Sequence, residues 1–594
     1  MGWLKVTIDF VLHVTQLDGF SPFISSSDVQ RPLQPPPITI EPFPPANGDC
    51  YGTGCRPKYE PITCSYPELE DQGWEFCNTE TTRDCWITDP SASQPSFTQW
   101  DVKTNYEKET PPGIKREYWL ELTGNDDFTP DGVEKIMGKY FNGTYPGPTL
   151  QACWGDELVV HVTNRREDNG TTVHWHGIRQ LNSNEMDGVN GVTQCPISKD
   201  DHFTLGPVLI SDWVHETAFI VYGIEIGGLP PPANSIVVNG QGHYDNNGTV
   251  TGSYFETTFK KNKKHIMRLI NGSAGASYIF AIDGHNFTVI SNDLVAIEPF
   301  NTSSLFIGIG QRYTIMVQAK DEDTGDYWMR TFPAPCATFE GIPDQRTGII
   351  RYDPSSTALP PDGTPLANVT CSDVSVELLN PIVPWCVDQH PQNNVTEDTF
   401  EAGLQVEADQ QLGPLGNYKH WFLGHQPMWL NFSMPTILYV DDAIKNPNYT
   451  VIEEDYSIGF IYLIIHGDPT LPVDHPIHLH GSDFVILAQS NTTWNETTSP
   501  DLFRYDNPPR RDTAMLPAGG FLAIAFKPDN PGSWLLHCHI AWHASSGLAL
   551  QILVRPYDIP KLPGDLTETV RVCDNWAETE LARDMVNIQD DSGV

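Results

Sequence analysis

His537-Cys538-His539-Ile540-Ala541-Trp542-His543-Ala544-Ser545-Ser546-Gly547-Leu548 is the stretch that organises the rest of this 594-residue chain. On a strand, residues i and i+2 face one side and i+1 the other. His537 and His539 therefore look one way, and Cys538, bonded between them, looks the opposite way. Two further pairs share this spacing: His174 and His176 in Thr172-Val173-His174-Trp175-His176-Gly177, and His478 and His480 in His475-Pro476-Ile477-His478-Leu479-His480-Gly481. One H-x-H pair is commonplace. Three in one chain point to a centre rich in imidazole ligands, which suits copper, zinc, iron or nickel. Cys538 narrows the choice, because with His475 and His543 it completes a His2Cys set, the trigonal arrangement of blue copper. Zinc also binds His and Cys, but it gives no reason for one thiolate to face one metal while its chain neighbours face others. Electron transfer does, since Cys538 joins two centres through a few covalent bonds. The axial position of such a site usually holds a weak methionine. Here Leu548 stands ten residues after the cysteine, and a side chain that cannot coordinate favours the reduced ion and raises the potential.

The two H-x-H-G phrases, at His174–Gly177 and His478–Gly481, form a short internal repeat that relates the first and last parts of the chain. A length of 594 residues suggests two to four domains. Short β-like runs at 157–162, 218–222, 314–318, 484–487 and 549–554, broken by Gly, Pro, Asn and Asp, argue for β-sandwiches or barrels. The 573–589 stretch has the spacing of a helix. Residues 21–60 are rich in Pro, Ser and Gly and are expected to be an extended leader. The formal charge of −41 disfavours nucleic acid and anionic membranes as partners. It equally fits a solvated acidic shell. No run of 18 apolar residues is present, so no membrane-crossing helix is expected. Twelve cysteines, and N-x-S/T sequons at Asn142, Asn169, Asn247, Asn271, Asn286, Asn301, Asn368, Asn394, Asn431, Asn448, Asn491 and Asn495, suggest a secreted, extracellular glycoprotein. Residues 6–14, flanked by Lys5, have the place of an export signal, but Asp9 and His13 interrupt them.

These motifs resemble those of multicopper oxidases, and within them ascomycete (fungal) laccases. The 537–548 stretch looks like the family's fourth copper motif, His475–Gly481 like the third and His174–Gly177 like the first. Tyr145-Pro146-Gly147-Pro148-Thr149, Asp187-Gly188-Val189-Asn190-Gly191-Val192-Thr193-Gln194-Cys195-Pro196, Asp212-Trp213-Val214-His215 and the terminal Asp591-Ser592-Gly593-Val594 are similar to ascomycete laccases as well. The resemblance implies an all-β fold of three cupredoxin-like Greek-key sandwich or barrel domains at 76–204, 205–375 and 376–594, after a leader at 1–75. It implies a type 1 copper held by His475, Cys538 and His543, a type 2 copper held by His174 and His478, and a type 3 pair held by His176, His480, His537 and His539. Four ions are the family's complement. Asp591, Ser592, Gly593 and Val594 would plug the channel to the oxygen site, and His543 and Asp212 would meet the substrate. Asp212 would accept a hydrogen bond or proton from a phenol, unless it caps the turn before Trp213. The implied reaction is one-electron oxidation of small phenols coupled to four-electron reduction of O2 to water, by a monomer, with lignin degradation among the family's roles. The alternatives are a phenol-coupling oxidase of a pigment or secondary-metabolite pathway, and an inactive blue copper protein with only the type 1 site.

One family element is missing. A W-Y-H-S-H-like second copper motif should close the first domain. His537 follows His478 by 59 residues, and the same offset from His174 falls at Ala233 in Leu229-Pro230-Pro231-Pro232-Ala233-Asn234, with no H-x-H. The chain passes from Cys195 through His202 straight into Leu205-Gly206-Pro207-Val208-Leu209-Ile210-Ser211-Asp212, the phrase that opens domain two in relatives. The first domain is therefore expected to be truncated, and each type 3 copper to lose one of three histidines. A skipped exon or a degenerate paralogue would produce this. By resemblance, Cys77 pairs with Cys85, Cys336 with Cys371 and Cys153 with Cys573, leaving Cys50, Cys55, Cys64, Cys195 and Cys386 open.

Overall fold

The computed structural model describes residues 64, 70, 73–78, 84–88, 99–106, 111, 113–124, 129–135, 138–166, 170–197, 210–321, 325–341, 343–363, 370–406, 418–471, 473–561 and 566–583. Most of the 1–75 leader, the junction 198–209 with His202, and Asp591, Ser592, Gly593 and Val594 lie outside the described residues.

Strands carry the structure, and the all-β expectation holds. In Lys115–Thr123 every second side chain is buried, the signature of a sheet with one face on a core. This strand pairs parallel with Glu157–Asn164 and antiparallel with Tyr140–Phe141. Tyr118, Leu120, Val160, Val162 and Trp175 form the core beneath it. The middle of the chain has two facing sheets. One runs Phe255–Thr258, Arg346–Arg351, Tyr327–Pro333, Tyr278–Ile282 and Ser304–Ile307; the other runs Lys264–Ile270, Arg312–Gln318, Phe287–Asn292 and Val295–Thr302. Phe280, Phe287, Val289, Ile315 and Val317 fill the space between them.

The last part repeats this plan with a six-stranded sheet and a five-stranded one. The latter has the order Val451–Glu454, Ala549–Val554, Gly532–Cys538, His475–Leu479, Thr513–Leu516. Gly532–Cys538 is buried on both faces along its whole length. Opposite it, Ile477 is paired with Cys538, His478 with His537 and Leu479 with Leu536. Paired residues share a face, so Ile477, Leu479, Leu536 and Cys538 join the inner core with Leu548, while His478 and His537 emerge on the other side.

The glycine that follows the first two H-x-H pairs has a structural reason. Gly177 has φ +78° and Gly481 φ +69°, a region costly for residues with a Cβ. A Cβ at Gly481 would lie 2.3 Å from the Trp534 ring, and one at Gly177 would lie 2.0 Å from Arg312 Nη2.

Two expectations need correction. Residues 218–222 are helical, within Ala218–Ile226, not extended. Thr217 caps that helix by accepting the Ile220 N–H, and a cap outweighs the strand preference of a short apolar run. Cys153 pairs with Cys64, and Cys573 pairs with Cys195. Cys153 sits among Trp86, Ile87, Ile114 and Trp154, whereas helix Thr567–Arg583 docks Val572 and Trp576 onto Cys195. Cys77–Cys85 and Cys336–Cys371 are bonded as expected. Cys386 and Cys538 are free thiols. The sequon at Asn271 is closed to a glycan, because its side chain is buried and donates to the carbonyls of Ala276 and Ile307.

Candidate metal centre

Strand His475–Leu479, the end of Gly532–Cys538 and the short helix Ala541–Ser545 bring three donors together in the inner core. Cys538 Sγ lies 3.6 Å from His475 Nδ1 and 3.7 Å from His543 Nδ1, and the two nitrogens are 3.2 Å apart. With metal bonds of about 2.0–2.1 Å to nitrogen and 2.3 Å to sulfur, these edges subtend roughly 100–115° at one ion. Burial lowers both imidazoles, His475 to about 3, so each offers a lone pair. Burial pushes the Cys538 thiol above its ordinary value; a thiolate in this apolar setting needs a cation beside it. Leu548 is fully buried in the same core. Its carbonyl accepts the Cys538 N–H, and its own N–H donates to His543 O.

On the opposite face six imidazoles converge. Four of them spend Nδ1–H on an oxygen: His174 on the Asp187 carbonyl (2.9 Å), His478 on the Asp512 carbonyl (2.8 Å), His480 on Asp187 Oδ2 (2.7 Å) and His537 on the Cys538 carbonyl (2.8 Å). Their Nε2 lone pairs then face each other, His174 to His478 at 3.5 Å and His480 to His537 at 3.2 Å. His539 Nε2 and His176 Nδ1 form a third pair at 3.0 Å. At about 2.0–2.1 Å from a shared ion, such separations correspond to angles of roughly 95–120°. Facing lone pairs repel unless a cation lies between them, so the donor set fits copper ions. Desolvation holds His480 and His539 near 4 and His176, His478 and His537 well below the ordinary imidazole value. All five are neutral donors in mild acid.

Carboxylates brace these rings from behind. Asp187 serves both His174 and His480. Asp512 reaches His176 Nε2 at 3.3 Å. Burial would raise Asp512, but the Arg312 guanidinium, 2.5 Å away through both terminal nitrogens, more than offsets it and holds the carboxyl below its ordinary value. Arg312 belongs to the middle sheet pair, so a region with no imidazole in either cluster still clamps one of them.

The remaining named residues fall elsewhere. Asp212 is near-buried, and its two oxygens accept the N–H groups of Ala274 (2.8 Å) and Gly275 (2.7 Å). Burial raises its carboxyl, and those N–H groups partly oppose the rise. It thereby fixes the turn whose Ala274 carbonyl receives the Ala541 N–H. His215 is bonded to Asp131 Oδ2 at 2.8 Å. Glu225, which carried no motif, accepts Trp421 Nε1–H (2.7 Å) and lies 3.6 Å from His543 Nε2. Trp421 stacks on His543 at 4.3 Å and meets His475 edge-on. Nothing in the local spacing of Glu225 or Trp421 announces that role. Asp187 lay within a quoted motif and could have been found from its place beside the H-x-H pair.

Three family models, each described as multicopper oxidase, match residues 123–206, 205–355 and 424–558. A laccase of Arthroderma benhamiae is 36% identical over 90% of this chain and 92% of its own length. That match spans 608 positions, more than 90% of the 594 residues here, so the laccase carries residues with no counterpart in this chain. Dihydrogeodin oxidase of Aspergillus terreus is 36% identical over 87% of this chain and 95% of its own length. The crystal structure of a laccase from Botrytis aclada superposes with a TM-score of 0.75 at 36% identity, covering 83% of this chain and 97% of that one.

Proposed function

The chain belongs to the multicopper oxidase family, as a fungal laccase-type oxidoreductase that uses copper, and on that premise we propose that it takes electrons singly from small phenols at His543 and delivers them towards O2 across Cys538. The observation that carries this reading is the alternation at the end of Gly532–Cys538. Cys538 Sγ faces His475 and His543, while its neighbours His537 and His539 belong to the six-imidazole cluster. Copper in the two clusters supplies one-electron oxidation at the first and reduction of O2 to water at the second. In the first, His475, Cys538 and His543 serve as type 1 ligands. In the second, His174 and His478 serve as the type 2 pair, with His176/His539 and His480/His537 as the two halves of type 3. Ile220, on the helix that packs against the one carrying His543, and Leu229 just beyond it are 51% and 54% exposed. Apolar surface of this kind suits an uncharged aromatic ring. Asp212 orients the turn whose Ala274 carbonyl receives the Ala541 N–H. The three domains are proposed at 76–204, 205–375 and 376–594.

Six imidazoles supply two donors to each of three positions, where type 3 ions ordinarily take three. This, together with residues of the relatives that lack counterparts here, supports a first domain missing its closing strands. We therefore expect the type 1 site to fill and the second cluster to be impaired. The test is copper per chain, the visible band of a thiolate–Cu(II) bond, the near-ultraviolet band of a coupled pair, and O2 uptake with a panel of phenols. A visible band with neither coupled-pair band nor O2 uptake is expected. Four coppers with rapid O2 uptake would sink the impaired-cluster reading. The phenol-coupling alternative is favoured by the dihydrogeodin oxidase relative; turnover of a single phenol from the panel would support it. Disulfides and sequons support secretion, which an N-terminal sequence of the protein recovered from culture medium would test.

A further inference from the structure

Helix Ala218–Ile226 contains a single charged residue, Glu225, and it is turned inward, 7% exposed. The helix packs on Ala541–Ser545, which carries His543. Glu225 Oε1 accepts Trp421 Nε1–H at 2.7 Å and stands 3.6 Å from His543 Nε2. That is the ring nitrogen opposite Nδ1, which faces Cys538 Sγ. Trp421 stacks on the same imidazole, 30° from parallel. A carboxylate side chain is thus tethered behind the outer ligand of the cysteine cluster, within a buried shell where salt screens little.

We propose that Glu225 is a positioning residue that lowers the electron affinity of the His475–Cys538–His543 site, opposing the non-coordinating Leu548. The inference rests on the type 1 reading of that site. A carboxylate behind a ligating histidine fixes ring orientation and raises the basicity of the ligand. Its charge also favours the more positive, oxidised state over the state that has gained one electron. Trp421 supplies the tether, and Glu225 supplies the charge. The helix that carries Glu225 belongs to the middle region, so electron affinity at a site in the last region is set in part from outside it.

The test uses the copper-loaded full chain and redox titration of its visible band. Glu225→Gln keeps the volume and an acceptor for Trp421 but removes the charge. Its reduced-to-oxidised ratio at a fixed poise should rise about tenfold, equivalent to about 59 mV for one electron, with the band retained. Glu225→Asp, which keeps the charge, should stay nearer the parent. An unchanged or lowered potential in Glu225→Gln, with the band intact in the parent, overturns this inference alone. A parent with no thiolate–copper band overturns the type 1 reading and this inference with it.

Discussion

Replacing Glu454 by glutamine should make the protein less sensitive to alkali. Glu454 ends strand Val451–Glu454, is 2% exposed, and shares its burial with Asp398. Asn393 Nδ2 donates to Asp398 Oδ2 at 2.7 Å. The charged groups acting on the pair are Glu454, Asp398 and Glu397, with no cation among them. Burial first, then Asp398, pushes the Glu454 carboxyl from 4.5 up to about 8. Between those values the folded chain keeps a proton that the unfolded chain has released, so stability falls as pH rises through the window. At about 1.4 kcal/mol per pH unit, the loss reaches on the order of 3–5 kcal/mol by pH 8. For a domain of some 200 residues, 1 kcal/mol moves the midpoint by about 2–4 °C. The parent should therefore lose about 10 °C more than Glu454→Gln between pH 4.5 and 8.5, measured by near-ultraviolet circular dichroism at one scan rate. Groups outside the Glu454–Asp398 pair titrate alike in both proteins and drop out of the comparison. Equal losses in the two proteins would refute the proton-sharing argument.

Cys538→Ser should abolish the intense visible band while leaving the melting temperature nearly unchanged in the metal-free protein; a retained band would remove Cys538 from the cluster. Cys195→Ala paired with Cys573→Ala opens a loop of 378 residues and should cost up to about 5 kcal/mol, read as a lower denaturant midpoint and tryptic release of the C-terminal helix. Arg312→Ala leaves Asp512 buried without its counter-charge, a change expected to cost about 3–5 kcal/mol. It should also reduce copper retention at the six-imidazole cluster more than at the cysteine cluster, as electron paramagnetic resonance would show.

The sites were legible because strand geometry turns spacing into direction. Knowing that i and i+2 share a face was enough to set Cys538 against His537 and His539, and the register of Ile477 with Cys538 then produced two clusters on two faces. The legible part stops where a contact joins distant segments. Arg312 and Asp512 meet across 200 residues, and Glu225 and Trp421 across 196, with no periodicity linking them. At 218–222 the apolar run suits either a strand or a helix, and the decision rests on one hydroxyl, that of Thr217. Of the expected disulfides only that of Cys573 was wrong, for a similar reason: Cys153 and Cys195 are both in the first region, and only the packing of Trp576 beside Cys195 selects between them as the partner of Cys573.

The Cys195–Cys573 bond also imposes a timetable. Its two halves are 378 residues apart, so at about 5–20 residues per second of synthesis the first thiol waits roughly 20–75 s for the second. During that interval Cys64, Cys77, Cys85 and Cys153 are all within reach of it. The nascent chain must keep one thiol reduced while its neighbours oxidise, and a helix made late, Thr567–Arg583, seals a region made early. Any truncation before Cys573 would leave that thiol permanently in search of a partner.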